Sequence, residues 1–533
     1  MRRPRRIVLA AALVVLQEQA ARFSVRVDPR VELLCVVGRL AGLDEYAQAA
    51  PTPYAAAVEE HFAPFREHDA VVTTRSLHEV FSVGYNALPS LAVYLRDLDT
   101  LEPLVPLKPL PPGLDARWAL APVDSYLEQL REFAAESQFA AFLEEQSQYL
   151  RALEQRYQEA LPGAAVLDWC DGFFGPRPGL RCVAVPGPLI GPNNYGVMAR
   201  DAAGAETFYQ VLGVAQAQKD GLPRLDAGME PLLVHEVAHS YVNPAVERGL
   251  EPFSRAAPAA FELVAEDMRA QAYGDWRTLC CESGVRAATA LYMLDRHGPQ
   301  ARDRSIHHEE ARSFYWTGDV VRRWDAARRE QAFEEFLPLL ADALRDWAAL
   351  PPEQRLPPFR GTLNSALTLL MQSEDALFLL PEDSEALAAY ARQMHERFHA
   401  ASKVRLASAG ELSPEEAAGR AQVVYGSPHS NVHVRRWLQA LQARLDADGI
   451  TLGRRRFQGA HLVLIACCPL APGSRAAAVV YTAASDQDLV GVNGVFHGPT
   501  DWVVARATAP GQYTVVESGD FPKSADGDWL PLQ

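Results

Sequence analysis

A histidine, a glutamate directly after it, and a second histidine four residues from the first occur twice in this sequence. The copies are His235-Glu236-Val237-Ala238-His239 and His395-Glu396-Arg397-Phe398-His399. One turn of α-helix puts residues i and i+4 on the same face, so two imidazoles at this spacing can share one cation. The glutamate between them then stands beside a water on that cation. The chemistry this allows is metal-assisted hydrolysis: zinc acidifies the water and the carboxylate takes its proton.

Context separates the copies. The first is flanked by Leu232, Leu233 and Val234 and contains Val237 and Ala238. That pattern predicts a helix with Val237 and Ala238 against a core and both histidines facing a cleft, ended promptly by Asn243-Pro244. The second copy contains Arg397 and follows Arg392. It reads as a chance match on a solvated amphipathic helix.

A catalytic zinc takes three protein ligands and keeps one position open. A third histidine six residues beyond His239 is excluded, because Ala245 stands there. The remaining candidates are glutamates on later helices: Glu262, Glu266 and Glu282. Glu282 is favoured because Arg286, one turn on, can orient its carboxylate. Glu266 lies beside Asp267 in a more charged stretch. A donor for a developing oxyanion is also required, and Tyr315 and Tyr241 are the candidates. Asn193, Asn194 and Tyr195 lead into an expected edge strand, which can hold an extended peptide by backbone pairing.

Positioning these groups falls to a mainly helical region. Apolar residues at three- and four-residue steps predict helices over Val31–Ala41, Tyr54–Phe65, Asp124–Phe133 and Phe139–Ala160. Gly38 counts against the first, since glycine costs about 1 kcal/mol inside a helix. Short segments at Ala164–Leu167, Arg181–Val185, Tyr195–Ala199 and Thr207–Val214, punctuated by Gly, Pro and Asn, predict a small antiparallel sheet. Helices are expected again from Met229, then over Ala259–Tyr273, Trp276–Arg296, Glu309–Ala327 and Phe333–Ala348. Pro351-Pro352 and Pro357-Pro358 mark a linker. Beyond it strands alternate with helices, including an expected helix over Val432–Leu445, which predicts an α/β domain. The expected organisation is a leader at 1–21, a mainly helical α+β domain at 22–349, a linker at 350–360 and an α/β domain at 361–533.

The chain has 533 residues, too many for one core. A net charge of −16 argues against a nucleic-acid partner, because phosphate binding needs clustered Lys and Arg. Met1–Arg6 is strongly basic and Ile7–Leu16 is apolar, the pattern of an export signal too short to span a bilayer. No other segment predicts a stable membrane span. Seven cysteines include two adjacent pairs in apolar surroundings. They read as small buried hydrophobes rather than a disulfide framework, although Cys170 and Cys182 could pair in an exported protein. Val423–Ser427 predicts a strand running into a Gly-Ser turn, without the spacing of a nucleophile or phosphate motif.

Three stretches together resemble a family: Arg30-Val31-Glu32-Leu33-Leu34 with Arg39-Leu40-Ala41-Gly42, the run His235 to Pro244, and Glu282 with Val285-Arg286-Ala287. It is an uncharacterised bacterial family of exported HExxH proteins, a domain of unknown function grouped with gluzincin-type metallopeptidases. The resemblance covers roughly Val25 to Ala349. It implies a zincin-like fold with His235, His239 and Glu282 as zinc ligands and Glu236 as base, and it implies no substrate. The leading expectation is a zinc metallopeptidase acting on a peptide or protein. The alternatives are a zincin scaffold that binds without turnover and a zinc hydrolase of non-peptide amides or esters, since the motif specifies an activated water and not the bond it attacks.

Overall fold

The protein is described here by a computed structural model. It covers residues 22–533 except 49, 215, 219, 226–227, 401, 496, 498, 524–528, 531 and 533. The basic-then-apolar segment read as an export signal therefore lies outside the described residues. The chain divides into two compact units at Pro244/Ala245. No helix among the described residues is long and apolar enough to cross a membrane.

In the first unit, strand β1 (Phe23–Val25) leads into helix α1 (Pro29–Leu40). Asp28 caps α1 by accepting from the Arg30 amide, and Pro29 occupies the first turn, where its missing N–H costs nothing. Val31, Leu33, Leu34, Val36 and Val37 are all buried. Gly38 has a packing reason: a Cβ there would lie 3.0 Å from Leu88 and 3.1 Å from the Tyr46 ring. The expected helix over Phe139–Ala160 is two helices, Phe139–Glu145 and Ser147–Ala160.

The sheet of this unit contains β1, β2 (Arg181–Gly187), β3 (Asn194–Arg200) and β4 (Glu206–Gly213), in the order β1-β2-β4-β3. It is mixed rather than antiparallel: β1 and β4 run parallel to β2, and only β3 opposes β4. The turn residues after β2 resemble those of a hairpin, but they carry the chain to the far edge of the sheet. As expected for a parallel centre, β2 is buried from Cys182 onward on both faces. The segment Ala164–Leu167, expected as a strand, belongs to helix α2 (Gly163–Phe174). Val166, Cys170 and Phe174 recur there every four residues and are buried, which is the helical period.

Helix α3 (Met229–Arg248) carries the first HExxH copy, and the division between units falls inside it. The second unit continues with α4 (Leu250–Ala270), α5 (Trp276–His297), α6 (Pro299–Ala311), α7 (Thr317–Ala327) and α8 (Pro338–Ala348). Asp275 caps α5, accepting from the amides of Arg277 and Thr278 at 2.8 and 3.0 Å. The expected single helix over Glu309–Ala327 is broken at Ser313, which takes a left-handed φ of 69°. The turn this creates presents Phe314, Tyr315 and Trp316.

After helix α9 (Leu363–Gln372) come β5 (Leu377–Leu380), α10 (Glu385–His399), β6 (Arg405–Ser408), β7 (Gln422–Tyr425) and α11 (Val432–Ala440). The strands that follow are β8 (Ala443–Asp446), β9 (Gly449–Leu452), β10 (Arg455–Gln458), β11 (Leu462–Pro469), β12 (Ala477–Ala483), β13 (Trp502–Ala509) and β14 (Gln512–Gly519). Seven of the strands form one mixed sheet in the order β14-β13-β11-β12-β7-β5-β6, with β12, β7, β5 and β6 parallel. The α/β character expected here is present. The helix expected over Val432–Leu445 stops at Ala440, because the chain turns at Gln442 (φ 50°) and enters the β8–β9–β10 meander. The Gly-Ser turn after β7 is engaged internally: the Ser427 amide and the Ser430 hydroxyl both donate to Asp486, at 2.7 and 2.8 Å. All seven cysteines are free, and burial pushes the Cys182 thiol up to about 12.

Candidate metal centre

Helix α3 faces as its sequence predicts. Val237 and Ala238 are buried, whereas His235, Glu236 and His239 are half-buried. The helix does not end at Asn243-Pro244 but runs on to Arg248 with Pro244 inside it. Proline cannot donate to the carbonyl four residues back, which is that of Ser240. The Arg177 guanidinium donates to that carbonyl instead, so the usual penalty is offset by a substitute donor. Arg177 also pairs with Glu206 on β4 and lies 5.4 Å from the Tyr241 ring centre.

Asp171 on α2 fixes the same stretch of helix. It accepts from the Tyr241 hydroxyl at 2.7 Å, from Arg22 at 2.7 Å and from the Arg177 amide at 3.0 Å. Burial works to raise the Asp171 carboxyl, but these donors outweigh it and hold the group below its usual range. The Tyr241 hydroxyl is thus committed to Asp171, and burial raises its own pKa.

The two imidazoles of the first copy meet. Their Nε2 atoms are 3.2 Å apart, and the rings stand at 83° to each other. His239 Nδ1 lies 3.2 Å from Asn243 Oδ1. That oxygen can only accept, so Nδ1 carries the hydrogen and Nε2 keeps its lone pair. Glu236 reaches toward β3: a Cβ on Gly196 would lie 2.5 Å from Glu236 Oε2. Glycine is therefore the residue that leaves room for this carboxylate.

His235, His239 and Glu282 form a group whose ligand atoms all lie within 4.8 Å of one another, and this group could hold a metal ion. The donor set fits a small divalent cation. Two ligands each about 2.1 Å from a tetrahedral zinc stand roughly 3.4 Å apart, close to the separation of the two imidazole nitrogens. Two imidazoles and one carboxylate, with one position left for water, is also the composition of a catalytic rather than a structural zinc site.

Glu282 is 8% exposed, and its Oε2 accepts from Arg286 at 2.9 Å. Arg286 is buried and serves two further groups, Glu309 on α6 and the Tyr273 hydroxyl at 2.9 Å. It also stacks 4.2 Å from the centre of the Phe314 ring. Burial works against the charge on Arg286, but Glu309 and Glu282 hold it protonated. Burial likewise opposes the charge on Glu309, and Arg286 holds that carboxyl below its usual range. Of the other candidates, Glu262 and Glu266 are exposed on α4 and do not join the group. Tyr315 is buried, with its hydroxyl bonded to Arg475 and 3.0 Å from Ser313.

The residues not singled out in the sequence are supporting ones. Asn243 stands one helical turn after His239, so its contact was legible from spacing. Glu309, Arg177 and Asp171 come from elements distant in sequence, and only the fold brings them in.

The fold and the group define a mixed α/β protein with a candidate metal centre whose residues come from helices α3 and α5. Residues 110–341 match a family described as a domain of unknown function, DUF4932. The match contains His235, Glu236, His239, Asn243, Glu282, Arg286 and Glu309. No curated protein and no solved structure matches the chain.

Proposed function

We propose that the protein is a zinc-dependent hydrolase, a gluzincin-like metallopeptidase exported by way of its N-terminal segment. The observation that carries this reading is the convergence of His235, His239 and Glu282 with Glu236 set between the two histidines. His235, His239 and Glu282 would hold the ion through two imidazole nitrogens and one carboxylate oxygen. When bound, zinc lowers the pKa of water and polarises a carbonyl.

This chain's own residues supply the rest. Asn243 fixes the His239 tautomer, and Arg286 fixes the rotamer of Glu282 with a charge-assisted bond. Glu236 accepts the proton of the attacking water and returns it to the leaving nitrogen. Support for a peptide substrate comes from β3. It is an edge strand of its sheet, and Gly196 is exposed where it meets Glu236. An edge strand binds an extended chain through backbone pairing.

Metal analysis tests the reading. Protein purified without chelators should carry about one zinc per chain, lost on dialysis against a chelator and regained with zinc. Protein that cannot be loaded with zinc would end the proposal.

A further inference from the structure

Strand β3 is open along only part of its free edge, and the closure has named causes. In an antiparallel ladder the N–H and C=O of one residue point to the same side, and successive residues alternate. The Arg200 amide donates to the Tyr94 hydroxyl at 3.2 Å, away from β4. A Cβ on Gly113 would lie 2.6 Å from the Met198 carbonyl oxygen. Residues 194, 196, 198 and 200 therefore present their backbone groups to the free edge. Asn193 agrees with this phase, since its carbonyl accepts from Gly213 at the end of β4.

Two of these four outward positions are covered. The Tyr94 hydroxyl bonds both Arg200 and the Pro112 carbonyl, tying the loop 111–113 to the end of the strand. Gly113 adopts a φ of 92°, open to glycine, and so lets the loop backbone lie against Met198. Gly196, beside Glu236, is exposed. Only two residues, about 7 Å of strand, separate it from the closure.

The geometry points to Tyr94 and Gly113 as specificity-determining residues that confine the site to substrates with a free chain end. This rests on the peptidase reading above. A polypeptide paired to Gly196 runs into the loop 111–113 within about two residues on one side, and must end there. On the other side the strand runs back only as far as Asn194, which is partly exposed and is not covered by that loop. A chain whose middle is offered to Glu236 has to leave the strand and forfeits its pairing at that end.

The test uses the full chain carrying Glu236→Gln, zinc-loaded and immobilised, so that bound peptides stay intact. The probes are a random hexapeptide library and the same library with a Gly-Ser extension at its N-terminus or at its C-terminus. One extended library should be retained like the parent. The other should be retained at least about tenfold less, the loss expected when roughly one strand hydrogen bond cannot form. Equal retention of both extended libraries would overturn the inference and leave peptide binding standing. If no library is retained and wild-type protein cleaves none of them, the peptidase reading fails as well. Tyr94→Phe removes both hydroxyl bonds, and Gly113→Ala forces the loop off Met198. Each should restore retention of the excluded library, and unchanged retention in both would sink the assignment to these residues.

Discussion

Helices α3 and α10 carry the same five-residue pattern and put it to different uses. On α3 the histidine nitrogens approach to 3.2 Å and a third ligand, Glu282, closes the group. On α10 the rings are 6.0 Å apart and tilted by 33°. His395 Nε2 is spent on the Val404 carbonyl at 2.8 Å, and both rings pack edge-on to Phe378 of β5. His399 is buried, while Glu396 is exposed. Among the described residues no third His, Cys, Asp or Glu makes a group of three with this pair. The spacing supplies two rings on one helical face. Whether they meet a ligand or an aromatic core depends on what the rest of the chain places opposite that face.

The largest expected difference between the two helices is in turnover. Glu236→Gln should lower peptide hydrolysis by about 10²- to 10⁴-fold with zinc retained, the span of general acid–base catalysis, and Glu396→Gln should leave it unchanged. Rate assays with metal analysis on both variants decide this, and equal effects would erase the distinction. Next is metal affinity. Asn243→Ala should weaken zinc binding by about 10- to 100-fold, as expected for loss of an imidazole's outer hydrogen bond, which a competition titration with a chromophoric chelator reads.

A stability effect follows from α10. Burial, then the neighbouring His395, depresses His399 from its ordinary 6.5 to about 4. A depressed histidine favours the folded state fully above 6.5, and that contribution is lost as pH falls from 6.5 toward 4, because only the unfolded chain takes up the proton. Denaturant midpoints across that window should fall in the wild type and fall less in His399→Leu. The smallest effect is expected at Tyr315. Its hydroxyl already serves Arg475 and Ser313, so Tyr315→Phe should change turnover less than threefold, about 0.6 kcal/mol. A loss of the order of 10²-fold would instead make it an oxyanion donor.

Local patterns carried a large share of this fold. Helices α1, α3 and α5 are visible because their apolar residues follow the helical period, and β3 and β4 because Gly, Pro and Asn separate short segments. What escaped was set at longer range. The Ala164–Leu167 run is helical because its buried partners are spaced by four, and β1 is too short to signal itself. The β8–β10 meander and the β13–β14 ribbon depend on pairing between segments that carry little pattern of their own. Asn243-Pro244 predicts a helix end, yet Pro244 sits inside α3, where Arg177, 67 residues earlier in the sequence, takes the carbonyl that proline leaves free.

By itself the sequence determined that His235 and His239 would share a helical face with Glu236 beside them, because four residues make about one turn. It also determined that Arg286 would reach Glu282, for the same reason. Only the tertiary structure decided that Glu282, rather than Glu262 or Glu266, stands across from the two histidines. The same is true of His395 and His399, which it turned onto an aromatic side chain. Helical periodicity is a property of neighbours along the chain, whereas a third ligand is supplied by packing between elements far apart in it.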